Sequence, residues 1–256
     1  MITDSFDPDT PAIINPQRQT NAPKVDACIM TFSWQIEEAV RVAFGCKEIA
    51  EFWFATGRTP VYQIDYRGKK FAFFKTYEGG PACVGSVEDS LAVIDTDTYI
   101  VFGGAGCLNK EIAHGKVMIP TEAYRDEGTS YHYIKPSDYV TVKNAPVIAC
   151  FMSENKIPYI TGRTWTTDSF YRETTGNFQK RKADGCISVE MECASLQAMC
   201  DFRGLNFYQF LTSGDLLDAP EWDERRKEGE IKGTQHDSGH FDIALELAVY
   251  VTGLTK

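Results

Sequence analysis

The chain has 256 residues, of which 43% are hydrophobic and 24% are charged, and this composition excludes a disordered, collagen-like or coiled-coil protein. Its 36 acidic residues outnumber its 26 lysines and arginines, so the net charge is −10. This charge argues against a general role in binding nucleic acids, because a phosphate backbone favours a basic face.

The cysteines and the start of the chain bear on its compartment. None of the eight cysteines forms a C-x-x-C pair and most lie in apolar segments, so we interpret them as reduced core thiols. No apolar run reaches the length of a membrane span, and residues 1–8 lack the basic and apolar regions of a signal peptide. We therefore expect a cytoplasmic protein without a membrane partner.

Periodicity and turn residues divide the chain into an arm and one domain. Residues 1–24 contain four prolines and predict an extended N-terminal arm. The predicted strands are Val25–Phe32, Val61–Asp65, Lys70–Tyr77, Thr98–Phe102, Val117–Pro120, Lys156–Thr166, Ile187–Val189 and Asn206–Ser213. The predicted helices are Trp34–Phe44, a segment from Pro81, Pro136–Glu154, Glu192–Phe202 and His240–Thr252. Ser33 is the predicted N-cap of the first helix, and the last helix carries an apolar stripe formed by Phe241, Ala244, Leu245, Ala248 and Val251. This alternation predicts a single α/β domain over 25–256, with a mixed, mainly parallel central sheet flanked by helices.

A glycine cluster, Gly103-Gly104-Ala105-Gly106, follows one predicted strand. Glycines there could form a turn whose backbone N–H groups approach a ligand, or a tight turn with no ligand at all. A dinucleotide fingerprint would need glycine or alanine where Asn109 stands, and a crossover helix that the next segment is too short to form. We therefore predict no cofactor.

Two carboxylates flank a methionine at a predicted strand-to-helix junction, in the order Glu190, Met191 and Glu192. Such carboxylates could accept hydrogen bonds from paired hydroxyls, as on a ribose, while the thioether packs on the sugar. The alternative is that the glutamates only complement the helix dipole at the first turn.

An aspartate and an aromatic pair follow other predicted strands. Asp215 lies where open α/β sheets place their sites, and could act as a general acid or simply cap a helix. Phe170 and Tyr171 come after the polar run 166–169 and could stack on a flat base, pack into the core or form a turn.

Metal and serine-hydrolase chemistry are poorly supported. His236 and His240 are spaced like a metal pair on a helix, but no third ligand follows at a suitable distance, so we predict no metal site. The sequence also lacks a G-x-S-x-G motif.

Taken in order, the segments resemble the nucleoside phosphorylase family, most closely its uridine phosphorylase branch. The motifs that carry the resemblance lie between about residues 60 and 220: Glu78-Gly79-Gly80-Pro81, the glycine cluster, Tyr124 to Tyr133, Thr166 to Tyr171, Val189 to Ala194 and Thr212 to Asp215. The resemblance implies a single α/β domain in homodimers or homohexamers. It also implies cleavage of a nucleoside N-glycosidic bond by phosphate, or by water in some relatives.

Site residues follow from the resemblance position by position. Glu192 would bind the ribose hydroxyls, Met191 would lie against the sugar, and Glu190 would help to shape that pocket. Phe170 would stack on the base and Asp215 would protonate it as it leaves.

The resemblance adds two further groups. Gly104, Ala105 and Gly106 would contact the substrate, and Arg58 would reach into the phosphate site of a neighbouring subunit.

The chain departs from the family pattern mainly at the phosphate and base positions. The stretch 30–35 has no glycine or arginine, and Val101 replaces an arginine. Gly104 replaces a threonine of the glycine cluster, and Thr174 and Gly176 replace the glutamine and arginine that read uracil. The base need not be uracil, and the usual phosphate site is largely dismantled.

We therefore expect phosphorolysis of a nucleoside to a free base and a pentose 1-phosphate. Arg163, Arg172 or Arg225 could supply the charge of the missing arginines. Two alternatives are hydrolysis by water and a homologue that binds nucleosides or bases without catalysis.

Overall fold

Ten strands form one sheet within the part of the chain that the structure, a computed structural model, describes: residues 1–113, 115–218, 221–223 and 238–254. The strands are β1 (Ala27–Thr31), β2 (Lys47–Phe54), β3 (Gly57–Tyr66), β4 (Lys69–Lys75), β5 (Thr98–Cys107), β6 (Val117–Asp126), β7 (Tyr139–Thr141), β8 (Tyr159–Thr167), β9 (Cys186–Glu190) and β10 (Asn206–Leu216). The helices are α1 (Trp34–Phe44), α2 (Gly80–Val93), α3 (Lys110–Ala113), α4 (Ala145–Glu154), α5 (Thr175–Ala183), α6 (Cys193–Arg203) and α7 (Ser238–Leu254). Short 3₁₀ helices span Ile2–Asp4, Thr129–His132 and Phe170–Arg172.

The sheet closes on itself on one side. Strand β10 pairs with both β5 and β6, so that β10, β6, β8, β9 and β5 form a ring. From β5 the sheet continues through β1, β4, β3 and β2. Strands β4, β1, β5 and β10 are neighbours in that order, and each adjacent pair is parallel. Strand β3 pairs antiparallel with β4, and β2 pairs antiparallel with β3. The prediction of one α/β domain with a mixed sheet flanked by helices is confirmed.

The central strands and the last helix are held by buried apolar surface. All five residues of β1 are buried, as expected for a parallel strand that is covered on both faces. Helix α7 buries the predicted stripe of Phe241, Ala244, Leu245, Ala248 and Val251.

Helix α1 confirms the cap predicted from local sequence. The Ser33 side chain accepts a hydrogen bond from the backbone N–H of Ile36, and Gly45 ends the helix in a left-handed conformation with φ of 55°.

The N-terminal arm is mostly exposed and ends against the domain. Its only described regular element is the 3₁₀ helix Ile2–Asp4. The backbone N–H of Gln19 donates to the carbonyl of Ala92 at 2.8 Å, and Arg18 forms an ion pair with Asp95.

Two local predictions are wrong, and two elements were not predicted. The glycine cluster is not a turn, because β5 continues through it and Gly103 pairs with Leu211 of β10. The predicted helix Pro136–Glu154 begins only at Ala145, since β7 precedes it. Strand β2 and helix α5 lie in segments for which no element was predicted.

Candidate active site

The β9–α6 junction places one carboxylate against the start of helix α2. Glu192 is only 6% exposed, and its Oε1 accepts a hydrogen bond from the backbone N–H of Gly79 at 2.6 Å. Gly79 turns the chain into α2 with φ of 91°, a conformation that favours glycine. Burial, together with the negative charge of Glu190, raises the pKa of the Glu192 carboxyl well above its usual range.

Its neighbour Glu190 is occupied by the protein itself. Oε2 accepts hydrogen bonds from the backbone N–H groups of Glu192 (2.7 Å) and Cys193 (2.6 Å), and Oε1 accepts one from Thr166 Oγ1 at 2.5 Å. Burial raises the pKa of Glu190, while these donors oppose the rise. Glu190 therefore stabilises the first turn of α6, which is the structural role that the sequence offered as an alternative to substrate binding. Its contact with a substrate stays a prediction.

The half-buried Met191 lies between these two carboxylates, immediately before helix α6 begins at Cys193. Its thioether is thus carried by the same rigid junction that positions Glu192. A methionine held there could pack against an apolar sugar face, as the resemblance implies.

Asp215 lies inside β10 rather than beyond its end, in a stretch where the pairing with β5 shifts register between Ser213 and Leu216. Its Oδ2 accepts a hydrogen bond from Trp222 Nε1 at 2.6 Å. A bulge of this kind re-aims side chains and is common near active sites. Trp222, which is 58% exposed, was missed by sequence reasoning because it lies in a charged segment without periodicity.

The glycine cluster lets neighbouring side chains approach the backbone of β5 closely and leaves Gly104 exposed. A Cβ on Gly106 would lie 2.7 Å from Val189 Cγ1 and 3.4 Å from Asp215 Oδ1, so glycine is required for β5 to approach β9 and β10 there. Gly104 is the only exposed residue of β5, whereas Ala105 is buried.

The aromatic pair forms an exposed wall. Phe170 and Tyr171 are 49% and 81% exposed, and their ring centroids lie 4.1 Å apart. Core packing, one of the two alternatives for this pair, is therefore excluded, whereas the other, a turn, agrees with the 3₁₀ helix Phe170–Arg172. Such rings can stack on a heterocycle without a large rearrangement.

Sequence reasoning also missed Glu173, which follows the aromatic wall. Burial, together with repulsion from the Asp215 carboxylate, raises the pKa of Glu173 to about 7. A carboxyl two residues after an aromatic pair was the available signal. The charge of Asp215 therefore acts on a residue that follows Phe170 closely in the chain.

The arginines expected to hold phosphate are mostly engaged. Arg58, on β3, binds the carboxylates of Glu48 and Glu51 of its own chain. Arg163 donates to Glu122 at 2.7 Å and to the carbonyl of Asp184 at 2.9 Å.

The other residues at which the sequence suggested a role in phosphate binding differ in their exposure. Val101 is fully buried in β5. Arg172 is exposed in the 3₁₀ helix Phe170–Arg172 and forms no ion pair with any described residue. Arg225 lies outside the described residues.

Neither a metal site nor a membrane span is found in the described residues. No group of three histidine, cysteine, aspartate or glutamate side chains there could hold a metal ion, and His236 of the predicted pair lies outside them. None of the helices in the same residues combines the length and the apolar character that a membrane crossing requires.

Comparison with known proteins gives the family. The phosphorylase superfamily model matches residues 34–238. A DeoD-type purine nucleoside phosphorylase of an Exiguobacterium species is 26% identical over 194 residues, 73% of this chain and 78% of that protein. A uridine phosphorylase of Thermococcus kodakarensis is 33% identical over 156 residues, so the match spans 55% of this chain and only 56% of that relative.

A solved structure agrees in fold. The AMP nucleosidase from Bacteroides thetaiotaomicron superposes with a TM-score of 0.66 at 16% identity, covering 90% of this chain and 88% of that one. This likeness concerns the fold alone. The family model spans most of the domain, and the domain has the α/β arrangement of strands and helices that was predicted. The chain therefore belongs to the phosphorylase superfamily.

Proposed function

We propose that this protein cleaves the N-glycosidic bond of a nucleoside and uses water as the nucleophile. The observation that carries the proposal is the buried Glu192 carboxyl, fixed by the Gly79 N–H. A second acidic group, Glu173, follows the exposed aromatic wall in the chain. The first group suits a sugar and the second suits a leaving base.

The reaction itself defines what the site must supply. Breaking the bond between C1′ and the base nitrogen develops positive charge on the sugar ring, as in glycoside cleavage. The base must accept a proton or hydrogen bonds as it leaves. The nucleophile must be held on the opposite face of C1′, close to its line of attack.

The sugar and the leaving base each have candidate groups in the chain. Glu192 would accept hydrogen bonds from the ribose hydroxyls, and Met191 would cover the sugar. Phe170 would stack on the base. Asp215 and Glu173 would supply one proton between them, because two neighbouring carboxyls favour a state in which one is protonated.

Charge favours water over phosphate. A phosphate dianion needs cations, but Arg58 and Arg163 are paired with glutamates of the same chain and an apolar valine occupies position 101. The carboxylates Glu190 and Glu192 already repel each other, so a further anion beside them would be unfavourable.

Phosphorolysis remains the second candidate, since the purine nucleoside and uridine phosphorylases are the relatives with the clearest sequence identity. Arg172, which forms no ion pair with any described residue, could contribute to such a site. In a homodimer or homohexamer, Arg58 would have to leave its glutamates to reach a neighbour's site.

The test is base release from a panel of purine and pyrimidine nucleosides, with and without inorganic phosphate. We expect equal rates in both conditions and a free pentose as the product. A rate that depends on phosphate and yields a pentose 1-phosphate would establish phosphorolysis instead. Ligand-induced thermal stabilisation without any product would indicate a non-catalytic binder.

A further inference from the structure

The Tyr124 to Tyr133 segment contains a buried carboxylate that the proposed reaction does not use. Glu127, 7% exposed, follows β6 and accepts three hydrogen bonds. Its Oε2 accepts from the backbone N–H of Ser130 at 2.9 Å and from Ser195 Oγ at 2.5 Å, and its Oε1 accepts from Ser130 Oγ.

The direction of these hydrogen bonds is fixed by a buried arginine. Arg125 is 3% exposed, and its Nε donates to Ser130 Oγ at 2.7 Å. Because a guanidinium has no acceptor, the Ser130 hydroxyl proton must point to Glu127. The Tyr131 ring lies over the guanidinium at 4.0 Å, and Nη1 donates to the carbonyl of Lys135 at 2.8 Å. Glu127 is therefore held in place as the acceptor of three hydrogen bonds.

The third donor, Ser195, connects this cluster to the start of helix α2. A Cβ on Gly80 would lie only 2.4 Å from Ser195 Oγ, so the serine packs directly against the Gly80 backbone. The preceding residue, Gly79, donates the N–H that holds Glu192 Oε1. A chain of direct contacts thus runs from Glu127 through Ser195 and the two glycines to Glu192.

We propose that Glu127 is a positioning residue for sugar recognition: it fixes Ser195 beneath Gly80, so that the Gly79 N–H stays aimed at the Glu192 carboxylate. Glu127 acts through Ser195 and makes no contact with substrate. The inference rests on the proposed function, since it takes Glu192 as the group that binds the sugar hydroxyls.

The experiment compares sugar discrimination in Glu127→Gln, Ser195→Ala and a matched control. Glu88→Gln is that control, because Glu88 also joins α2 to α6 but through Arg203 at the other end of the helices. Binding of uridine, inosine and adenosine is measured beside their 2′,3′-dideoxy analogues and the free bases. Circular dichroism checks folding.

In the unmodified protein and in Glu88→Gln, we expect ribonucleosides to bind more tightly than their dideoxy analogues. In Glu127→Gln and Ser195→Ala, that preference should fall about tenfold, the effect of losing one well-placed hydrogen bond, while the affinity for free bases is unchanged. If Glu127→Gln does not fold, Ser195→Ala, which removes a single oxygen, carries the test.

A second readout separates positioning from general support. The Glu127 charge helps to raise the pKa of Glu190, which shares the β9–α6 junction with Glu192. The pH dependence of ribonucleoside binding should therefore move to lower pH in Glu127→Gln and stay in place in Glu88→Gln.

The outcomes distinguish the two proposals. Binding of ribonucleosides with an unchanged preference in both folded variants would overturn the role of Glu127 and leave the proposed function standing. An unmodified protein that binds no nucleoside would overturn both.

Discussion

The sugar end and the base end of the candidate site are built differently. At the sugar end, Glu190 and Glu192 are both 6% exposed and receive hydrogen bonds from backbone N–H groups. At the base end, Phe170, Tyr171 and Trp222 are roughly half to four-fifths exposed. The difference indicates that the end proposed to bind the sugar is preorganised by the fold, whereas the end proposed to bind the base consists of surface groups that can change without disturbing the core.

The largest effect should come from the base end, at Asp215. Asp215→Asn keeps the shape of the side chain and can still bind Trp222 Nε1, but it cannot deliver a proton. We expect turnover to fall by about 10²–10⁴-fold with little change in thermal stability, because loss of a general acid typically has that effect. Steady-state rates on the nucleoside panel measure this.

Normal rates in Asp215→Asn on every substrate would remove Asp215 from the mechanism. Comparison with Glu173→Gln and the double variant then shows which carboxyl delivers the proton. If the two act as one unit, the double variant should be little worse than the more damaging single variant.

At the sugar end, Glu192→Gln should weaken binding and change the response of stability to pH. The folded state holds a proton on Glu192 at pH values where the unfolded chain has released it. Stability is therefore greatest below the unfolded pKa of about 4.5 and falls as pH rises through the folded pKa, by at most about 1.4 kcal/mol per pH unit for one group.

Glu192→Gln removes that titration. Thermal melting across pH 5 to 9 should show a flatter curve for the variant, while the KM for ribonucleosides rises by about tenfold or more. A variant whose melting temperature falls with pH as steeply as the unmodified protein would contradict the assignment of the proton to Glu192.

A smaller effect is expected from Glu173, which titrates near pH 7. If Glu173 and Asp215 share the catalytic proton, the rate of base release should decline as pH rises through about 7. In Glu173→Gln, this decline should occur at a different pH. The pH dependence of kcat/KM measures it. An unmoved alkaline limb in the variant would show that Glu173 takes no part in the proton transfer.

Local sequence patterns predicted much of the fold. Ser33 and Gly45 delimit helix α1, and the apolar stripe of α7 is buried as expected, because capping and periodicity act within a few residues. Edge strand β2 escaped prediction because Phe52 is its only buried residue. Helix α5 escaped because only Phe178 and Arg181 are buried in an otherwise polar segment.

Other features depended on contacts between distant segments. The glycine cluster was misjudged as a turn because its strand conformation comes from pairing with β10, more than 100 residues away. The role of Glu190 could not be decided from the sequence for the same reason. Its carboxylate accepts hydrogen bonds both from the start of helix α6 and from Thr166 on β8.

The sequence alone determined the chemical types at the site, an α/β alternation and a family resemblance, because these depend on residue identity, spacing and order. Only the tertiary structure decided that Arg58 is engaged by its own glutamates, that the charge of Asp215 raises the pKa of Glu173, and that Glu127 reaches Glu192 through Ser195. The physical reason is that burial, charge repulsion and hydrogen bonding act through space, between groups whose separation along the chain carries no local signal.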